Sequence, residues 1–237
     1  MISTKALAAI AALALLAGCA QAPKKQAFNR DAATHIKSIV LTQAPNQDSY
    51  EAAVLGHPGM SFGLIGGLIA AADMQAKSSK LSAAIDPTLT RLQDRFSERL
   101  SENLARAGYQ TQVVVLPKDT KEEQIVTVAR QKASGDAVLA VGLIGAYWAA
   151  GPSSDYFPRL LVRVRQIEAA SGNTLYEDTF TYGYANPQAQ TIHLASDAQY
   201  RFADIDALVA DPDKTRQGWY AGLDAIAAQI AADLKKN

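Results

Sequence analysis

The pentapeptide Gly59-Met60-Ser61-Phe62-Gly63 has the G-x-S-x-G spacing of a nucleophile elbow, where flanking glycines let a serine hydroxyl stand clear of a sharp strand-to-helix turn. A serine so placed needs a histidine to accept its proton and an acid to orient the histidine. Asp178 and His193 follow in the required chain order. Such an elbow stands on several strands of a parallel sheet, however, and only one clear strand precedes Ser61. A serine hydrolase is therefore the weakest of the functions weighed. The other reactive side chains do not converge either. His35, His57 and His193 have no Cys, Asp or second His at metal-ligand spacing. Asp204, Asp206, Asp211 and Asp213 lack the glycine and terminal glutamate of a calcium loop, and Asp211 suffices as a helix cap. Phosphate-loop and dinucleotide fingerprints are absent. The sequence predicts no catalytic residue, no cofactor and no metal.

The glycines admit another reading. Gly59, Gly63, Gly67 and Ala71 recur every fourth residue, so on a helix they form one strip of small side chains suited to close packing or self-association. Leu64, Ile65, Leu68 and Ile69 then supply bulk elsewhere on that helix. Burial in the domain core is the leading expectation for this segment, with homo-oligomer formation or membrane contact as the alternatives. Tyr147-Trp148 and Tyr156-Phe157 flank the loop Ala149 to Asp155, and aromatic side chains at a hairpin tip suit a partner contact.

One residue carries a distinct chemistry. Cys19 is the single cysteine, so no intramolecular disulfide is available. Lys5 precedes an apolar run from Ala6 to Leu16, too short to span a bilayer and the size of a signal-peptide core. Leu16-Ala17-Gly18-Cys19 then resembles the bacterial lipobox. The resemblance implies cleavage of residues 1–18, acyl chains on the sulfur and amine of Cys19, and, since Ala20 is not Asp, the periplasmic face of the outer membrane. Two or three chains make such an anchor stable where one does not. Residues 19–34 read as a flexible tether, and 35–237 as the periplasmic domain.

The elements that must position these residues follow from pattern. The chain has 237 residues, 49% hydrophobic and 19% charged, enough for one domain with a real core. Lys plus Arg and Asp plus Glu are equal at 23, so no net field gathers nucleic acid. Strands are expected at Ile36 to Thr42, Tyr109 to Leu116 and Asp136 to Trp148. A hairpin of Arg159 to Glu168 with Thr174 to Tyr184 turns at Ala169 to Asn173. Asp86-Pro87 caps a helix striped by Leu89, Leu92, Phe96, Leu100 and Leu104, which Gly108 ends. Thr120 with Glu123 caps a second helix, Ser196 a third, and Asp211-Pro212 opens a last one striped by Trp219, Leu223, Ile226, Ile230 and Leu234.

This order places Ala107-Gly108-Tyr109 after the long helix and Ser134-Gly135-Asp136-Ala137 after the next. It then gives a hairpin of Leu160-Leu161-Val162-Arg163-Val164 and Ala170-Ser171-Gly172-Asn173-Thr174-Leu175-Tyr176. It resembles envelope lipoproteins that share the TolB amino-terminal-domain fold, a group containing the curli secretion lipoprotein CsgG and the peptidoglycan-synthase activator LpoB. The resemblance covers residues 36–185. It implies an α/β fold, a mixed sheet with packed helices, and a non-enzymatic role in assembly, secretion or activation of an envelope protein partner. No catalytic residue is carried over, and the paired amphipathic hairpins of a CsgG-like pore are missing. Mass spectrometry of the protein from native membranes is expected to find a chain beginning at an acylated Cys19. An unacylated start at Met1 overturns that expectation.

Overall fold

The computed structural model describes residues 24–61, 63–184 and 190–236. In chain order the elements are β1 (Ser38–Gln43), β2 (Glu51–Val54), α1 (Gly63–Ile85), α2 (Pro87–Thr90), α3 (Leu92–Arg106), β3 (Gln110–Val115), α4 (Ile125–Lys132), β4 (Ala137–Ala149), β5 (Tyr156–Glu168), β6 (Thr174–Gly183), β7 (Ile192–Leu194), α5 (Ile205–Ala210) and α6 (Pro212–Asp233). The fold is α/β: one seven-stranded mixed sheet ordered β3-β1-β4-β5-β6-β7, with β2 also paired to β4. β1 runs parallel to β3 and β4, and β7 parallel to β6, while β4, β5 and β6 form an antiparallel meander. The meander has the register that alternation predicts, with Val162 opposite Phe180 and Arg165 opposite Glu177.

β4 is the spine. Its uncharged run of Ala, Val, Leu and Gly suits a strand covered on both sides. Two short strands share one of its edges: β1 pairs with Ala137–Leu139 and β2 with Ala146–Ala149. Between them the chain leaves the sheet, and side chains replace the missing strand. Thr42 Oγ1 accepts from Val141 N at 3.1 Å, and Gln93 Nε2 donates to Leu143 O at 2.8 Å. The Gln47 amide both accepts from Gly145 N at 2.8 Å and donates to Gly145 O at 3.3 Å. Among the described residues β2 in turn has no strand on its far side. There the hydroxyls of Ser78 and Ser82, one turn apart on α1, accept from Ala52 N and Tyr50 N at 3.0 and 2.9 Å. The edge is thus closed by a helix rather than left for another chain.

The main core lies on one face of the sheet, beneath α1, α3 and α6. Leu92, Phe96, Leu100 and Leu104 of α3 and Trp219, Leu223, Ile226 and Ile230 of α6 are all buried, as their spacing predicts. Leu89 departs from that stripe. Arg91 takes a left-handed conformation (φ 39°) that separates α2 from α3, and Leu89 is left 74% exposed. Two caps also differ from expectation. Thr120 donates to Pro117 O, while Gln124 Oε1 accepts from Lys121 N before α4. Asp197 caps a single turn at Ala198–Tyr200, and Asp204 rather than Ser196 caps α5. Asp211 and Gly108 (φ 90°) act as the sequence predicts, whereas Asp86 caps the short α2 and the striped α3 starts at Arg91 without a side-chain cap. Among the described residues the opposite face of the sheet carries one helix, α4, over a small cluster of Val40, Val114, Ala129 and Val138.

The folded body starts earlier than residue 35. Gln26 exchanges backbone hydrogen bonds with Glu177 of β6 (2.7 and 3.0 Å), and Asn29 N donates to Leu175 O. Phe28, Ala33 and Ile36 are buried in the main core. The polar composition of the expected tether concealed Phe28 and Ala33, so Gln26 to Thr34 is packed chain.

Two substitutions test the packing. On α6, Gly218 and Gly222 present backbone to the sheet, and a Cβ on Gly222 would meet the Tyr182 ring and come within 2.7 Å of Leu160 Cδ1. Gly222→Ala gains up to ~1 kcal/mol of helix propensity but overpacks a filled layer, which costs about 1–3 kcal/mol. Urea titration is expected to show a net loss. Asp136 joins β1 to β4: its Oδ2 accepts from Lys37 N, Ser38 N and Ser38 Oγ at 2.8–2.9 Å. The Lys37 amide first, and then Ser38, hold its carboxyl below the ordinary 3.8. The folded state therefore binds this proton less readily than the unfolded chain, so the stabilisation is full above about pH 4 and is lost as pH falls through the depressed value. Asp136→Asn is expected to flatten that part of the acid-unfolding curve.

Candidate interaction surfaces

Strand alternation divides the four hairpin aromatics. Tyr147 points into the main core, where it is fully buried, lies 5.1 Å from the Trp219 ring and donates to Thr215 O at 2.9 Å. Burial pushes its hydroxyl well above 10. Tyr156 is buried on the same side, and burial likewise raises its hydroxyl. These two residues are core, which removes them from the expected partner contact. Trp148 and Phe157 face each other across β4 and β5 on the opposite side of the sheet, and both are partly exposed. The Tyr184 ring contacts both edge-on, at 6.0 and 6.3 Å.

That opposite side is the open face of the sheet. Gly142, Ile144 and Arg163 are exposed there, and Leu161 is half-buried beside them. A groove of about 760 Å³ runs between α4 and the N-terminal segment, with Gly142, Arg163 and Thr179 in its floor and Lys24, Glu122 and Ile125 on its sides. Gly142 keeps the floor flat, because nothing lies within 4 Å of where a Cβ would stand. Arg159 sits between this groove and the aromatics. Its side chain is nine-tenths buried, its guanidinium lies 5.1 Å from the Trp148 ring centroid, and its Nη1 donates to Leu160 O at 2.9 Å. Among the described residues it makes no ion pair, and residues 1–23, 62, 185–189 and 237 contain no Asp or Glu side chain. Burial lowers its affinity for its proton, and the same loss of water, together with the Arg159 charge, lowers that of His193. The buried Trp148 Nε1 also has no hydrogen-bond acceptor among the described residues. Sequence reasoning named Trp148 and Phe157 as a possible partner contact but not Arg159, which a polar/apolar alternation assigns to the solvent.

The elements of a serine hydrolase stay apart. Ser61 ends a short 3-10 turn, Pro58–Ser61, just ahead of α1. The nearby His57 has both ring nitrogens engaged, by Gly59 N at 3.0 Å and by Asp73 at 3.3 Å. Asp178 pairs with Lys25, and His193 lies beside Thr181. The third histidine, His35, pairs with Glu168 at 2.7 Å. Among the described residues no three His, Cys, Asp or Glu side chains gather to hold a metal. The aspartates are separately engaged: Asp204 and Asp211 cap helices, Asp206 pairs with Lys80, and Asp213 with Arg216.

The small-residue strip is not one continuous helical line. Gly59 lies in the turn before α1, where a Cβ would clash with the Gly66 carbonyl. Gly63 starts the helix, Gly67 has open space beside it and Ala71 is exposed. The buried side of this part of α1 is instead Gly66 and Ala70. Residues 65–72 are therefore covered on one side only, against the expectation of a buried helix. Cys19 lies outside the described residues. Activity-based labelling with a fluorophosphonate is expected to leave Ser61 unmodified, and labelling there would restore the hydrolase reading.

No family profile matches the sequence, and no curated protein sequence does. Among solved structures, the PelC dodecamer from Paraburkholderia phytofirmans matches at 12% identity over 90% of this chain and 96% of that one, with a TM-score of 0.35. Protein XCC0632 from Xanthomonas campestris matches at 10% identity over 90% and 94%, with a TM-score of 0.37. The LpoB C-terminal domain from Salmonella enterica matches at 12% identity over 62% and 82%, with a TM-score of 0.19. Likeness at this level assigns neither a family nor an activity.

Proposed function

We propose that the protein is a non-enzymatic module of the bacterial cell envelope, held by acyl chains on Cys19 at the periplasmic face of the outer membrane, and that it docks a protein partner on its open sheet face. The observation that carries the reading is Arg159. An unpaired cation that deep in a protein is costly, and the Trp148 ring offsets only part of the cost. A partner carboxylate would complete the site, with Trp148 Nε1 as a second waiting donor. Trp, Tyr and Arg are the residue types that dominate the centres of protein interfaces. Phe157, Tyr184, Ile144 and Leu161 supply the surrounding apolar surface, and the flat floor at Gly142 admits a closely packed chain. The lipobox, the lack of an assembled catalytic set among the described residues and the balanced charge agree with this reading.

Site-specific photo-crosslinking in the native envelope tests it. A crosslinker at Leu161 or Arg163 is expected to give one discrete protein adduct, and a crosslinker at Glu98 on the helical side none. Trp148→Ala should weaken the adduct several-fold without lowering the amount of protein. Absence of any adduct from the sheet face, with the protein present and folded, defeats the proposal.

A further inference from the structure

Helix α1 carries a second surface, distinct from the sheet face, that no described residue covers. Ile65, Leu68 and Ile69 are 75%, 64% and 61% exposed, and the exposed Ala72 continues the same spacing of three and four. Gly66, Ala70, Leu81 and Ile85 form the side turned to the body. At 100° per residue the two stripes lie on opposite sides of the helix, so the bulky side chains project straight away from the protein. No charged side chain occurs between Ala52 and Ala72, and Leu55, also exposed, adds to the patch from the end of β2.

We infer that this stripe lies in the interfacial layer of a lipid bilayer, the same bilayer that holds Cys19, so that the protein grips lipid at two points. The inference rests on acylation of Cys19. A covalent anchor already holds the body beside lipid, so a small apolar stripe there adds to the attachment without having to form a complete interface by itself. Cys19 is five residues ahead of Lys24, which is at most ~17 Å of extended chain. Polar complementarity points the same way, because the stripe offers no hydrogen-bonding group for a protein partner to match. Among the described residues no helix is long and apolar enough to cross a membrane. The stripe spans only the first turns of α1, so it is built to lie on the surface, as interfacial amphipathic helices do. The N-terminal segment docks on β6, whereas α1 flanks β2 across the sheet. Both contacts on one surface therefore lay the body along the bilayer instead of standing it away on a tether.

Cys19 is the only cysteine, and once acylated on sulfur it leaves an introduced cysteine as the sole free thiol. The full-length acylated protein carrying Ile65→Cys, Leu68→Cys or, as a control on β3, Val113→Cys is labelled with the environment-sensitive fluorophore NBD. It is then reconstituted on vesicles of phosphatidylethanolamine and phosphatidylglycerol at 3:1. The label is expected to shift to the blue at 65 and 68 and to be quenched there by nitroxide lipids, while position 113 emits as in water. Water-like emission at 65 and 68 from protein that floats with the vesicles overturns the stripe contact and leaves the anchor intact. Failure to float shows that the anchor itself is absent and overturns both. A blue shift of the Cys19→Ser form in lipid-free buffer that grows with protein concentration identifies a second copy as the occupant, which also overturns the inference.

Discussion

A buried strand must find partners for every backbone amide and carbonyl, and β4 meets that requirement with a strand over only part of one edge. Between Leu139 and Ala146 its polar groups face three side chains, from Thr42, Gln47 and Gln93, each delivered by a different part of the chain. This constraint orders much of the rest. It explains why the segment between β1 and β2 loops out yet stays in register, and why α3 begins where it does, with Gln93 in its first turn. Leu92 beside it packs against Gly145, whose missing side chain makes room for the methyl group. Trp219 of α6 joins the same region, donating to Ala146 O at 2.8 Å and stacking against Tyr50 and Tyr147. Two helices and a loop are thereby keyed to one interval of seven residues.

The arrangement is lopsided. Three helices crowd one face of the sheet, and one short helix covers a corner of the other. An antiparallel meander tolerates a wet face, since its outward side chains can be polar. Here they are not uniformly so. Ile144, Leu161, Trp148 and Phe157 occupy positions where threonine or lysine would satisfy solvent, and a buried arginine stands among them. That composition is what the proposed docking face rests on.

Much of this architecture was legible in the residues. Period-two alternation located the β5–β6 hairpin and its register, and period-3.6 stripes located α3 and α6 with their buried residues. Asp86, Asp211 and Gly108 declared their caps by residue type. What escaped detection was decided by tertiary contact. β7 is three residues long and exists because Thr181 and its neighbours offer an edge. Leu89 fits the α3 stripe by spacing, but a left-handed Arg91 rotates it out. Gln26 to Thr34 reads as tether by composition, although Phe28 and Ala33 pin it to the core. The hairpin aromatics carry a different lesson. Tyr147-Trp148 and Tyr156-Phe157 look like paired surface features, yet neighbours on a strand point to opposite sides, so each pair gives one residue to the core and one to the open face. That division was available from the strand assignment alone. Arg159 was hidden for the opposite reason: an outward position on an isolated hairpin is wet, and only neighbouring side chains and strands make it dry.

The docking of the N-terminal segment on β6 sets how the protein responds to force. Tension arriving through the residues ahead of Lys24 enters the fold at the antiparallel Gln26–Glu177 pair and the Asn29–Leu175 hydrogen bond. These few bonds lie at the rim of the sheet and are the first to bear load. They can part while β4 and β5, locked by thirteen paired positions, stay closed. Peeling that seam would free Gln26 to Thr34 from the sheet and add their length to the chain ahead of the fold, so a pull from that end would meet the margin before the core.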